Sequence, residues 1–347
     1  MDDLRDSRRS IKEEVSGPEA NAPDAPSARR RLPQVAKRLA LREYLPFAGA
    51  ASAWLMIGLA IGHADAVRLL AAYTFVQAAR ALLTMEVVQL LAKRVRADKQ
   101  VYRASRRAAL RIDLWALAAC ALGIAALAAF FHLRGMTELA IMTVVVAMGI
   151  PARHPGALFV AKRNRDIMWR LGAAGAAAVG AAAVLLLGLP WMAAAGVLAL
   201  REWGGLLATV LFAPRSAGPS RIAAEVLAFT EAAGRTEANA RKRLSYRMMK
   251  SLFAVVLGPF GNLAARTGRS AGGLDAKLAN LIPRSRPGMV LFTGGTATAA
   301  ATLLAVSREP AAIMGAAALT RIAASGGAAL LWWNYAEGRI DEEEEED

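Results

Sequence analysis

The chain has 347 residues, is 56% apolar, and carries a formal net charge of +15 with a single cysteine. Its charges gather into a few segments between long uncharged apolar runs, which excludes an ordinary soluble helical domain. The lone Cys120 excludes a disulfide framework and a cysteine metal site, and His63, His132 and His154 are too dispersed to form a ligand cluster, so neither a metal nor a cofactor is expected. The basic residues flank apolar runs, where anionic membrane lipids and the positive-inside rule account for them without invoking nucleic acid.

Residues 1–44 mix charge with Gly17-Pro18, Ala22-Pro23 and Ala25-Pro26 and contain no apolar run, so a disordered basic cytoplasmic N-terminus is expected. The first apolar run begins near Leu45, too late for a cleaved signal peptide, and reads as an uncleaved anchor. Arg29, Arg30, Arg31, Lys37, Arg38 and Arg42 precede it and hold the N-terminus inside.

The pattern predicts an all-α polytopic membrane bundle of eight spans. A six-helix lobe covers 45–214, with helices at Pro46 to Ile61, Val67 to Ala92, Ile112 to Phe131, Leu139 to Val160, Met168 to Leu187 and Trp191 to Phe212. A helix of about 20 residues crosses a hydrocarbon layer of roughly 30 Å. Pro151 and Pro155 should kink helix four or end it early. The loop after helix two holds Lys93, Arg94, Arg96, Lys99, Arg103, Arg106, Arg107 and Arg111, and the loop after helix four holds Lys162, Arg163 and Arg165. The opposite loops are nearly free of Lys and Arg, an alternation that places both termini in the cytoplasm of a bacterial inner membrane.

Residues 215–287 read as a cytoplasmic helical segment, with Ile222, Val226 and Phe229 on one helix face. Arg241, Lys242, Arg243, Arg247 and Lys250 lead into the apolar run Leu252 to Phe260, which is too short to span. They are candidate lipid headgroup contacts; an amphipathic helix packed on the protein's own cytoplasmic face is the equal alternative. Two further spans, Met289 to Val306 and Ala311 to Trp333, fill 288–335. An acidic tail, 336–347, is expected to be solvated and disordered.

Arg80, Glu86, Arg201, Glu202 and Arg321 fall inside predicted spans. A charge near the bilayer centre costs at least about 2.5 kcal/mol, so each needs a partner, a bundle interior or a watery cavity. Arg201 and Glu202 are adjacent and diverge on a helix, so Glu202 is expected to meet Arg80 or Arg321, and Arg201 to meet Glu86. These five are the candidate substrate-binding residues, with structural ion pairing as the competing role. Small residues at four-residue spacing, Ala176 with Gly180 and Ala312 with Ala316, predict close helix packing, with a substrate path as the alternative. No HExxH motif and no phosphotransferase-type aspartate arrangement is present, and the expectation is a protein that is not an enzyme.

The hairpin from Gly156 to Leu171, Gly-Ala-Leu-Phe-Val-Ala-Lys-Arg-Asn-Arg-Asp-Ile-Met-Trp-Arg-Leu, leads into an Ala/Gly-rich helix, the turn Gly188-Leu189-Pro190-Trp191 and a sixth helix. With the long basic loop after helix two, this block resembles one six-helix lobe of the multidrug/oligosaccharidyl-lipid/polysaccharide flippase superfamily, in its polysaccharide-biosynthesis branch. The resemblance implies translocation of lipid-linked oligosaccharide or polysaccharide precursors through a central cavity by alternating access. Such a substrate carries phosphate, and by charge alone Arg80, Arg201 and Arg321 are its candidate counter-charges. Family members have two lobes, whereas this chain has one lobe and two further spans. It therefore requires a homodimer or a second membrane subunit to enclose a path. Without one it is a scaffold that docks envelope polysaccharide assembly proteins.

Overall fold

The computed structural model describes residues 45–83, 99–153, 166–211, 249, 253, 257, 282–283 and 285–345. These form eight helices and no strand: α1 (Leu45–Ile61), α2 (His63–Leu83), α3 (Lys99–Leu133), α4 (Thr137–Ala147), α5 (Asp166–Leu186), α6 (Trp191–Leu211), α7 (Arg286–Val306) and α8 (Pro310–Glu345). Four of them, α5, α6, α7 and α8, contain segments long and apolar enough to cross a membrane, and Leu45–Ile61 and Leu117–Leu133 are shorter apolar helices. The chain is thus an all-helical membrane protein.

Several boundaries depart from the expected ones, for local reasons. Ser285 caps α7 by accepting a hydrogen bond from the Gly288 amide, and Pro287 sits in the first turn, so α7 starts ahead of Met289. Residues 99–111 contain neither Gly nor Pro, and α3 begins at Lys99 within the basic segment that was expected to be loop. The acidic tail was expected to be disordered, yet α8 continues through Glu345; Glu is a good helix former and no proline follows Pro310. Helix four ends at Ala147, as Pro151 predicts. The proline lacks an amide hydrogen and its ring crowds the carbonyl four residues earlier. The Met148 amide is shared between the Val144 and Val145 carbonyls, at 3.3 and 3.2 Å, the Gly149 amide bonds the Val146 carbonyl three residues back at 3.2 Å, and residues 150–153 resume as helix.

The pairs α1–α2, α3–α4, α5–α6 and α7–α8 are each joined by a short turn. Gly62, Gly135 and Gly188 adopt positive φ (82°, 71° and 61°), a conformation that β-carbon-bearing residues avoid. Side chains gather these turns at one end of the bundle. Arg68 of α2 bonds Asp65 at 2.8 Å and Glu138 of α4 at 3.3 Å. Arg134, in the turn before α4, donates to the carbonyls of Leu304 and Ala305 at the end of α7. Gly49 near the start of α1 packs on Ala174 near the start of α5, which aligns those two helices.

The α5–α6 hairpin makes the closest approach. A β-carbon on Gly204 would collide with Ala176, and one on Gly172 with Ala208, so the helix backbones lie nearly in contact. Gly180 meets Val197 in the same seam, which assigns the Ala176 and Gly180 spacing to packing. α2 is the central helix. It packs on α8, α4, α3 and α1, and Leu69, Ala71, Ala72, Phe75, Val76 and Ala78 are all buried. Because α2 faces protein on most sides, it tolerates Asp65, Arg68 and Arg80, the charges that keep it from reading as a uniform apolar span. Phe75 stacks edge-on against Phe131 of α3 at 5.1 Å between centroids. The last two spans are part of this body, since α8 lies along α2, while α7 packs chiefly on α8.

Candidate functional site

Helices α2 and α6 and the break after α4 meet in a cleft lined by Tyr73, Gln77 and Arg80 of α2, Val146, Gly149, Ile150 and Arg153 of the α4 segment, and Leu198 and Glu202 of α6. The cleft is open along one side, and its free volume of about 10 Å³ is the space of one water molecule. Local sequence positions its walls. The proline break turns the chain so that Arg153 leaves the α4 axis beside α6, and Trp203 donates its indole hydrogen to the Met148 carbonyl at 3.0 Å, pinning the break to α6. Gly149 permits the approach, since a β-carbon there would stand 3.2 Å from the Ala199 backbone and from Cγ of Glu202.

Charge concentrates at this cleft. Glu202 is buried, at 5% exposure, and both its oxygens accept from the same nitrogen of Arg153, Nη1, at 3.0 and 3.1 Å. Arg80 stands within electrostatic reach of Arg153, Glu202 and Tyr73. Arg201 turns away from Glu202 and places Nη1 3.4 Å from the Tyr73 hydroxyl, with its guanidinium carbon 6.0 Å from the Tyr73 ring centroid. Tyr73 is itself held edge-on by Trp54 at 6.4 Å. Among the described residues, Glu202 is therefore the one carboxylate lining a cleft that also holds Arg80 and Arg153, with Arg201 beside it.

The structure brings three of the five expected residues together and separates one. Arg80, Arg201 and Glu202 converge as their shared location predicts, and the divergence of Arg201 from Glu202 follows the helical 100° step. Glu202 was expected to meet Arg80 or Arg321, and it pairs with Arg153; Arg80 lines the same cleft, and Arg321 lies on α8 outside the cleft lining. Glu86, Arg241, Lys242, Arg243, Arg247 and Lys250 lie outside the described residues. Arg153 is the residue that sequence reasoning missed. Its signal was available in Pro151, which breaks the helix two residues earlier and re-aims the chain. One catalytic spacing is present by letter, since Gly268-Arg269-Ser270-Ala271-Gly272 fits GxSxG. That pattern acts at a strand-to-helix turn, no strand occurs among the described residues, and these five lie outside them.

Fold and cleft together define a helical membrane protein with a charged crevice between α2, α4 and α6. No protein-family model, no curated protein and no solved structure matches the chain.

Proposed function

We propose that this is an eight-span protein of a bacterial inner membrane, with both termini cytoplasmic, that acts in translocating lipid-linked oligosaccharide or polysaccharide precursors. The observation that carries the reading is the gathering of Arg80, Arg153 and Arg201 near the buried carboxylate of Glu202 between α2, α4 and α6. Guanidinium groups clustered among apolar helices attract an anion, and the phosphate of an amphipathic lipid is the anion a membrane supplies. The orientation rests on the loops: those at the turn end are poor in Lys and Arg, and those at the other end are rich in them. The cleft itself has room for one water, so a headgroup meets it from its open side, where Arg153 is exposed. A second copy or a second membrane subunit encloses the path, since a single lobe cannot.

One observation favours a second reading, a non-transporting scaffold for envelope polysaccharide assembly proteins. The Arg153–Glu202 pair ties α4 to α6 and satisfies the buried carboxylate internally. The mass of the complex in lipid nanodiscs, with co-purifying lipids identified by mass spectrometry, separates the two. Transport predicts a dimer or a membrane partner carrying a polyprenyl-linked sugar phosphate. A lone chain with bulk lipid, or one bound only to soluble proteins, favours the scaffold.

A further inference from the structure

Arg153 meets Glu202 in an uneven way. Both carboxylate oxygens accept from Nη1, so the carboxylate engages one nitrogen of the guanidinium and not its two-pronged edge. The side chain of Glu202 is 7% exposed, whereas that of Arg153 is 38% exposed and lines the open cleft. The buried carboxylate thus holds one corner of the guanidinium, and among the described residues no acceptor meets its other edge, Nε and Nη2. That edge is the planar pair of donors that matches two oxygens of a phosphate. Arg80 supplies a second positive charge within electrostatic reach of the same group.

We infer that Arg153 is the direct phosphate ligand of the cleft, taking two phosphate oxygens on Nε and Nη2, and that Glu202 is a positioning residue that fixes the guanidinium for it. This rests on the proposed function and deepens it: the recognised chemistry is a phosphate monoester or diester, from a lipid headgroup or from free phosphate. The phosphate is met at the exposed side of Arg153, with the charge of Arg80 in the same cleft. Arg201, held on Tyr73, flanks the cleft without ligating.

The test uses the full chain in nanodiscs, with native mass spectrometry reading the binding of dioleoyl phosphatidic acid against dioleoyl phosphatidylcholine, and inorganic pyrophosphate as competitor. Arg153→Lys keeps an ion pair with Glu202 and so preserves the fold, checked by thermal melting, but it lacks the two-pronged edge. It is expected to weaken phosphatidic acid binding by about tenfold or more. Glu202→Gln is expected to weaken binding also, and the Arg153→Lys/Glu202→Gln pair to bind no worse than Arg153→Lys alone, because positioning matters only while the fork is present. Competition by pyrophosphate identifies the phosphate itself as the determinant, and its absence assigns recognition to the lipid-borne form. If Arg153→Lys binds as the wild type does while Arg80→Gln does not, the assignment of Arg153 is overturned and the anionic-lipid reading stands. If the wild type does not prefer phosphatidic acid, both fall.

Discussion

At the scale of single residues, the cleft turns on a buried carboxylate and the guanidiniums around it. Removing one member of a buried pair leaves the other charge uncompensated, which typically costs about 3–5 kcal/mol, whereas replacing both with apolar groups is often close to neutral. Glu202→Ala should therefore lower the thermal stability of the detergent-solubilised protein strongly. Arg153→Met/Glu202→Leu together should recover most of that loss, and failure of the pair to recover would show that the two residues do not act as a unit. Sequence made part of this legible. Charges inside apolar runs marked Arg80, Arg201 and Glu202, and helical geometry separated the last two. The partner was not legible, because Arg153 lies 49 residues from Glu202 and the register of α4 against α6 is set by packing at Gly149 and by Trp203 on the Met148 carbonyl. No spacing rule along one helix reports the register between two.

At the scale of elements, hydropathy located the helices but not their ends. It marks residues suited to lipid, so it found the apolar part of α3 and missed the extension from Lys99, and it ended α8 near Trp333 although the helix runs on to Glu345. Local chemistry does better where it is specific, as at Pro151 and Ser285. Close packing of α5 on α6 gives a prediction within one helix. Gly204→Leu must displace Ala176 and the α5 backbone, so it should destabilise by about 1–3 kcal/mol as overpacked sites do. Gly196, also on α6, has open space where a β-carbon would go. Gly196→Ala should be neutral or stabilise by up to about 1 kcal/mol through helix propensity. Melting curves of the two variants in detergent check this, and equal losses would contradict the seam.

At the scale of the whole molecule, the eight described helices run as four hairpins, and side-chain contacts join three of their turns. Four helices have the length and apolarity of membrane spans by themselves, and Leu45–Ile61 and Leu117–Leu133 are shorter apolar helices; the proposed count of eight also needs α2 and α4, which single-helix criteria pass over. In a Cys120→Ala background, His63→Cys, Leu187→Cys and Glu309→Cys should react with an impermeant maleimide added outside the inner membrane. Lys93→Cys and Lys162→Cys should react only after permeabilisation. Protection at His63→Cys with labelling at Glu309→Cys would mean that only the later helices cross. The measurement that bears most directly on the central claim is translocation itself. The purified complex is reconstituted into proteoliposomes with a fluorescent lipid-linked oligosaccharide, and an impermeant quencher reports the fraction moved between leaflets. The account predicts movement by the wild type above protein-free vesicles, and its loss in Arg153→Lys with the protein still folded and inserted. No movement by the wild type, or full movement by Arg153→Lys, would contradict it.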